Sequence, residues 1–337
     1  MALMRAALWT GDETFEITEV PVPEVPDGWA LVRVAQTGLC GTDFGIFQGT
    51  HPRARPPLIM GHEITGRVEA VRGGTLTTGE LVAVEPLISC GTCWACRHGA
   101  SHVCARLGLY GIDAPGGFAE FVAIPVDRLH AVPSEVDVQT ATLIEPLAVA
   151  VHAVGKSGVQ EGDTVAVFGS GPIGVLTALV ARSRGAGRVI MTEPNPQRAE
   201  VAAGLGFTVT SSGDELLRTV AEATGGEGAD VVFDSAGHPS VADFLVRVAR
   251  PTATIVLVGV HKQPVPLDLR HVNFLEQRLQ GVRVYTTADF AEAVRLAAAG
   301  VLPLSELPVE TFDLVDVRAA FAAAMAPGRT LKVMVAS

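Results

Sequence analysis

The chain has 337 residues, enough for about two domains. Apolar residues make up 48%, which supplies a sizeable core, and the formal net charge of −11 excludes the broad basic surface of a general nucleic-acid binder. The longest apolar stretches, such as Val165–Ala181, are interrupted by Gly, Ser and Pro, so none reads as a membrane span. Arg5 is not followed by a long apolar run, so no secretory signal is expected. The spacing of the cysteines suits metal binding better than pairing, which predicts a reducing, cytoplasmic setting.

Residues 1–150 are rich in Gly, Pro and β-branched residues. Leu31–Ala35, Gly66–Val71, Leu81–Val84 and Phe118–Ile124 predict strands of an antiparallel, β-rich domain. Within it, Cys40-Gly41-Thr42-Asp43 is followed by Gly61-His62-Glu63, with His62 twenty-two residues after Cys40; Glu145-Pro146 comes later. Alone, Cys40 reads equally well as a small buried apolar residue and His62 as a hydrogen-bonded core histidine. Together, Cys40, His62, Glu63 and Glu145 form a mixed ligand set. A zinc ion with fewer than four tight protein ligands keeps a position open for water or substrate. A second pattern strengthens this reading. Cys90, Cys93, Cys96 and Cys104 fall inside fifteen residues, and four thiolates can enclose one tetrahedral Zn²⁺ with no open position, the mark of a structural metal.

From about Gly162 short apolar runs alternate with Ala-rich helical segments, the pattern of βαβ units and a parallel sheet. Thr164–Phe168, Arg188–Thr192, Val231–Asp234 and Thr254–Val258 predict strands; Ile173–Arg184, Pro196–Leu205 and Glu215–Thr224 predict helices. Asn195-Pro196 is a good helix start, with Asn as cap and Pro in the first turn. Gly169-Ser170-Gly171-Pro172-Ile173-Gly174 directly follows the first of these strands, and Glu193 closes the next strand nineteen residues past Gly174. Gly169 makes the tight turn, Gly171 lets backbone approach a pyrophosphate, and Gly174 permits close helix–strand packing. Glu193 is placed to accept both adenosine ribose hydroxyls and to repel a 2′-phosphate, which favours NAD over NADP. Arg198, also on the adenosine side, weighs the other way. A helix over Ala288–Ala299, stopped by Gly300, and a last segment, Leu302–Ser337, with a helix near Val317–Met325 and a strand at Leu331–Val335, complete the chain.

The motifs Cys40-Gly-Thr42-Asp43, Gly61-His62-Glu63-x-x-Gly66, the four-cysteine lobe, Glu145-Pro-Leu-Ala and Gly169-x-Gly171-x-x-Gly174 span most of the chain. In kind and order they resemble the zinc-dependent medium-chain dehydrogenases of the alcohol/polyol dehydrogenase superfamily. Glu85-Pro and Glu145-Pro-Leu-Ala are similar to its sorbitol, threonine and butanediol dehydrogenase branch. The resemblance implies an α/β protein in which residues 1–150 form a GroES-like catalytic domain with the structural zinc lobe. Residues 151–287 would form a doubly wound, parallel-sheet Rossmann domain that binds NAD, and residues 288–337 would return to the catalytic domain.

It further implies two Zn²⁺ per chain, the catalytic one held by Cys40, His62 and a glutamate instead of a second cysteine. Glu63 is the usual ligand in sorbitol-type relatives, and Glu145 binds directly or through water. Thr42 is implied as first acceptor of the substrate proton, Asp43 as the partner orienting His62, and Ser235, Gly237 and Val258–Val260 as loops flanking the nicotinamide. The expected reaction passes hydride from a secondary alcohol (polyol, sugar or cyclitol) to NAD. An alternative is a threonine 3-dehydrogenase-like enzyme, and from another class a non-catalytic nucleotide-binding redox sensor that keeps only the structural zinc. Homodimers or homotetramers built through Rossmann edge strands are implied, here near Val282–Tyr285. Gly45 stands where many relatives carry a relay histidine, leaving ribose and water or another group such as His51. Val284 stands where sorbitol dehydrogenases have arginine before Tyr285, which removes a handle for a polyol hydroxyl. Phe44, Phe47 and Phe118 read either as the wall of an apolar pocket or as ordinary core.

Overall fold

The structure is a computed structural model describing residues 2–337. It divides into two compact units, Met1–Glu145 with Thr286–Ser337, and Pro146–Tyr285. Among the described residues no helix is long and apolar enough to cross a membrane.

The first unit is built on a seven-stranded sheet. Leu129–Ala131, Leu81–Val84, Glu63–Val71, Trp29–Gly38, Lys332–Ala336 and Val309–Asp313 lie side by side in that order, and Phe121–Pro125 also pairs with Trp29–Gly38. β-Branched residues and alanine fill its core, among them Ala30, Val32, Val34, Ile64, Val68, Val82, Val84, Val122 and Ile124. The central strand runs past its predicted end at Ala35. Gln36, Thr37 and Gly38 pair with Thr65, Ile64 and Glu63 on one side and with Ala336, Val335 and Met334 on the other. Pairing on both edges outweighs the polar character of these residues, and it carries the chain to Cys40. The predicted strand at Phe118 starts instead at Phe121, because the Phe118 amide donates to the Met60 carbonyl and its carbonyl accepts from the Ala7 amide.

The segment after Thr286 is fastened to this unit through Glu85. The Glu85 carboxylate is buried, pairs with Arg128, accepts from the Thr287 hydroxyl at 3.0 Å and lies 3.1 Å from His130 Nε2. Thr287 opens the helix Thr287–Ala299, whose start is fixed by a capping box between Thr286 and Asp289.

The second unit is a six-stranded, wholly parallel sheet in the order Thr208–Thr210, Arg188–Thr192, Thr164–Phe168, Ala229–Asp234, Ala249–Leu257, Arg278–Gly281. Thr164–Phe168 is buried along its whole length, as expected of a strand covered on both faces. Its two neighbours continue the chain in opposite directions, so the strand order reverses beside it. Helices Pro172–Ser183, Pro196–Gly204 and Gly213–Thr224 follow the strands, and the Asn195 side chain accepts from the amides of Gln197 and Arg198, as the Asn-Pro pair predicts. The edge strand is Arg278–Gly281, and Val282–Tyr285 lie beyond it.

Burial works to raise the Glu85 pKa, but hydrogen bonds from His130 and Thr287 and the Arg128 charge outweigh it and hold the carboxyl below its ordinary value. A lowered folded-state pKa stabilises the fold above the ordinary carboxyl pKa, and that stability is lost as pH falls through the folded value. Glu85→Gln should therefore lower the unfolding free energy at pH 7 by about 2 kcal/mol. The difference from wild type should shrink in acid, as urea titrations at several pH values would show.

Candidate active site

Strand pairing assembles the first metal cluster. Gly38 pairs with Glu63 at the start of the strand Glu63–Val71, so the turn at Cys40 comes to lie beside His62-Glu63. Ligand atoms of Cys40, His62 and Glu63 all lie within 4.8 Å of one another. Cys40 caps the short helix Gly41–Phe47, and Asp43 in its first turn accepts from the Cys40 amide through Oδ2 at 2.8 Å. Asp43 Oδ1 stands 3.5 Å from His62 Nδ1. Burial opposes a charge on His62, yet the Asp43 carboxylate and Cys40 raise its pKa well above the usual value. The field that favours an imidazolium also favours a divalent cation. Thr42 lies alongside, its hydroxyl 3.8 Å from the Cys40 sulfur. Glu145 is buried at the start of the helix Ile144–Ser157, outside the three-residue group.

Lys332 is the residue that the sequence reading missed. It opens the last strand, is 4% exposed, and pairs with the Glu63 carboxylate. Burial works to lower its pKa, but Glu63 and Cys40, with Glu145 behind them, raise it. The only signal in the sequence is a lysine inside the apolar run Leu331–Val335. Asp43 and Glu63 are both buried beside Cys40, and Lys332 meets only part of their negative charge, which a cation would offset. Sulfur, imidazole and carboxylate together suit Zn²⁺.

His51 Nδ1 faces the amides of Ala54 and Arg53, at 3.1 and 3.4 Å. Burial and Arg53 keep the ring pKa low. The neutral ring then carries its proton on Nε2 and has no free lone pair to take a proton from a relay. Phe47 and Phe118 are buried in an aromatic cluster with Phe15 and Phe321, and Phe44 packs on Phe321 at its edge. Phe47 and Phe118 are core, and Phe44 is half-buried at the edge of the cluster.

The four-cysteine lobe is closed. The sulfurs of Cys93 and Cys96 are 3.5 Å apart, those of Cys93 and Cys104 3.8 Å, and those of Cys90 and Cys96 4.0 Å. A tetrahedron of sulfurs about 2.3 Å from zinc has edges of roughly 3.8 Å. The backbone and hydroxyl of Thr92 and the Cys93 amide lower the Cys90 pKa to about 5, which readies a thiolate for metal.

In the parallel-sheet unit, Gly169 has φ +93°, and a Cβ on Gly174 would sit 1.9 Å from the Gly169 carbonyl oxygen, so the turn admits only glycine at both positions. Beside Gly171 the space is open. Pro172 and Ile173 open the helix Pro172–Ser183, whose N-terminus lies at the turn. Glu193 is buried and accepts from the amides of Ser170 and Asn195, each at 2.9 Å, which ties the turn to the next loop. Among the described residues, Ser170 Oγ, Arg198 Nε and Ser235 Oγ are buried here without a protein partner. They follow three adjacent strands, and unpaired buried groups of this kind are what a polar ligand satisfies. Val258 donates its amide to the Asp234 carbonyl, and Val260 is 85% exposed on the same loop. A dinucleotide fits this surface.

Known proteins share these features. The alcohol dehydrogenase GroES-like domain matches residues 26–134 and the zinc-binding dehydrogenase domain residues 172–299. The 2-dehydro-3-deoxy-L-galactonate 5-dehydrogenase of Pseudoalteromonas atlantica is 37% identical over 323 residues, 95% of this chain and 94% of that one. The L-threonine 3-dehydrogenase of Bacillus subtilis is 34% identical, over 88% and 89% of the two chains. A crystal structure of a zinc-binding dehydrogenase from Sinorhizobium meliloti bound to NADP superposes with a TM-score of 0.93 over 100% of both chains, at 29% identity. The chain belongs to the zinc-binding dehydrogenase family. It is an alcohol dehydrogenase-type oxidoreductase that works with zinc and a nicotinamide dinucleotide.

Removing Lys332 leaves Glu63 buried without its counter-charge. Lys332→Ala should lower the stability of chelator-treated protein by about 3–5 kcal/mol relative to chelator-treated wild type. Zinc supplies the missing charge, so the deficit should narrow in the zinc-loaded pair. Urea unfolding of the four samples tests both parts.

Proposed function

We propose that the enzyme oxidises a secondary alcohol of a polyhydroxylated substrate, a polyol, sugar, sugar acid or cyclitol, and passes the hydride to NAD. The observation that carries this reading is the convergence of Cys40, His62 and Glu63 in a buried, anionic setting. Residues 1–150 and 288–337 serve as the catalytic domain and residues 151–287 as the dinucleotide domain. Cys40, His62 and Glu63 hold the catalytic metal, with Glu145 as a direct or water-bridged further ligand; Cys90, Cys93, Cys96 and Cys104 hold the structural one. Zinc held there would supply a Lewis acid at the alcohol oxygen, and the bound dinucleotide a hydride acceptor.

The chain's own groups then have distinct tasks. Thr42 takes the hydroxyl proton as its own hydroxyl hydrogen passes on towards ribose and water. Asp43 fixes the His62 ring, and Lys332 balances the Glu63 charge. Gly169, Gly171, Pro172, Ile173 and Gly174 receive the pyrophosphate at a helix N-terminus. Glu193 accepts the adenosine ribose hydroxyls with Arg198 nearby, and its carboxylate disfavours a 2′-phosphate. Ser235, Val258 and Val260 border the nicotinamide. The sugar-acid class is supported by the dehydrogenase of P. atlantica, whose named substrate is a dehydrodeoxy sugar acid. The unpaired cysteines suit the cytoplasm, and the open edge strand Arg278–Gly281 suits pairing with a second copy of the chain.

Polyols, sugars, sugar acids, diols and threonine, each offered with NAD⁺ and with NADP⁺, test the reading by the absorbance of reduced nicotinamide. Reduction of NAD⁺ by a polyhydroxylated alcohol is expected, with Cys40→Ser folded but inactive. Turnover of threonine alone, a preference for NADP⁺, or full activity in Cys40→Ser would contradict the corresponding part.

A further inference from the structure

The dinucleotide unit holds a buried acid–imidazole pair that none of the roles above employs. Asp234 closes the strand Ala229–Asp234 and is fully buried. Its Oδ1 accepts from the amides of Ala236 at 3.1 Å and Gly237 at 2.9 Å. Its Oδ2 lies 2.7 Å from His261 Nε2. Its carbonyl accepts from the amides of Val258 at 3.0 Å and Gly259 at 2.7 Å. One residue thus binds together the loops that follow two neighbouring strands. Those loops touch backbone to backbone, since a Cβ on Gly259 would sit 2.4 Å from the Gly237 nitrogen.

Hydrogen-bond accounting then fixes the hydrogen on the nitrogen that faces Asp234. A carboxylate only accepts, so the imidazole nitrogen facing Asp234 carries the hydrogen. In the neutral ring the other nitrogen, Nδ1, is a bare acceptor. His261 Nδ1 is buried and has no hydrogen-bond partner, and neither does Ser235 Oγ on the adjoining loop. An oriented acceptor without a donor in the protein points to a donor on a ligand.

Topology says which part of the ligand. Glu193 follows Arg188–Thr192, on one side of the central strand Thr164–Phe168, and that side takes the adenosine half. Asp234 and His261 follow the strands on the other side, where the second mononucleotide lies. The Ser235–Gly237 loop also packs against the glycine turn: Cβ atoms on Gly174 and Gly169 would come within 3.6 Å of Ser235 Cβ and 3.4 Å of Ala236.

We propose that His261 is a cofactor-contacting residue. Its Nδ1 accepts a hydrogen bond from the nicotinamide nucleotide, donated by the carboxamide NH₂ or by a ribose hydroxyl, and Asp234 is the positioning residue that sets the ring's tautomer and direction. The inference rests on the dinucleotide-binding assignment of this unit. Wild-type protein that binds neither NADH nor NADPH would remove that assignment itself, before any variant is made.

His261→Gln separates a contact from a mere fastening. The glutamine amide can still donate to Asp234 from near the Nε2 position, so the two loops stay joined, but the Nδ1 acceptor is gone. Fluorescence titration should show NADH binding about tenfold weaker in H261Q, the size of one lost hydrogen bond. ADP, which engages only the adenosine half, should bind as in wild type. The 3-acetylpyridine analogue of NADH lacks the carboxamide donor and identifies the source. Equal affinity of wild type and H261Q for it assigns the bond to the carboxamide, and a persisting tenfold difference assigns it to the ribose. Wild-type affinity of H261Q for NADH, or an equal loss of ADP binding, overturns the proposal. Nitrogen NMR of the wild-type imidazole gives a readout that needs no variant: the Nδ1 resonance should shift on adding NADH and stay in place on adding ADP, and an Nδ1 resonance unmoved by NADH overturns the proposal.

Discussion

Buried negative charge is the constraint on which the catalytic unit depends. Asp43 and Glu63 lie beside Cys40 with little access to water, and such a group is stable only when positive charge and hydrogen bonds meet it. Lys332 meets part of it from the last strand of the chain. That gives the C-terminal segment a task besides completing a sheet, because the strand pairing that seats Lys332–Ala336 against Gln36–Gly38 also delivers an ammonium to Glu63. A divalent cation held by Cys40, His62 and Glu63 would meet the remainder.

The two cysteine-containing clusters differ in the way their proposed tasks require. Cys90, Cys93, Cys96 and Cys104 surround a point at the sulfur separations of a closed tetrahedral site, and the Thr92 backbone and hydroxyl with the Cys93 amide stabilise the Cys90 thiolate. Among the described residues no second cysteine joins Cys40 in its ligand group. Its neighbours are one imidazole and one carboxylate that is shared with a lysine. A metal there keeps room for a substrate oxygen, and the hydroxyl of Thr42 is alongside.

Local signals were legible in the sequence, and long-range pairs were not. The glycine turn, Glu193, the Asn195 cap and the strands Thr164–Phe168 and Arg188–Thr192 all follow from spacing and periodicity within a few residues, and the structure places them as expected. The metal cluster was legible because Cys40, His62 and Glu63 sit in short, recognisable strings. Lys332 pairs with a residue 269 positions away, and its strand reads as apolar. Thr287 and Glu85, and His261 and Asp234, are joined in the same way by tertiary proximity alone. Phe47 was ambiguous for a related reason: only the packing of Phe15 and Phe321 against it shows that it is core.

The central claim is an open zinc site at Cys40, His62 and Glu63, separate from the closed one at the cysteine lobe. Metal content per chain tests it most directly, measured on purified wild type and on Cys40→Ser after the same dialysis. The account predicts two zinc ions in the wild type and one in the variant, with the remaining ion still bound by the lobe. A single zinc in both proteins, or two in both, would contradict it.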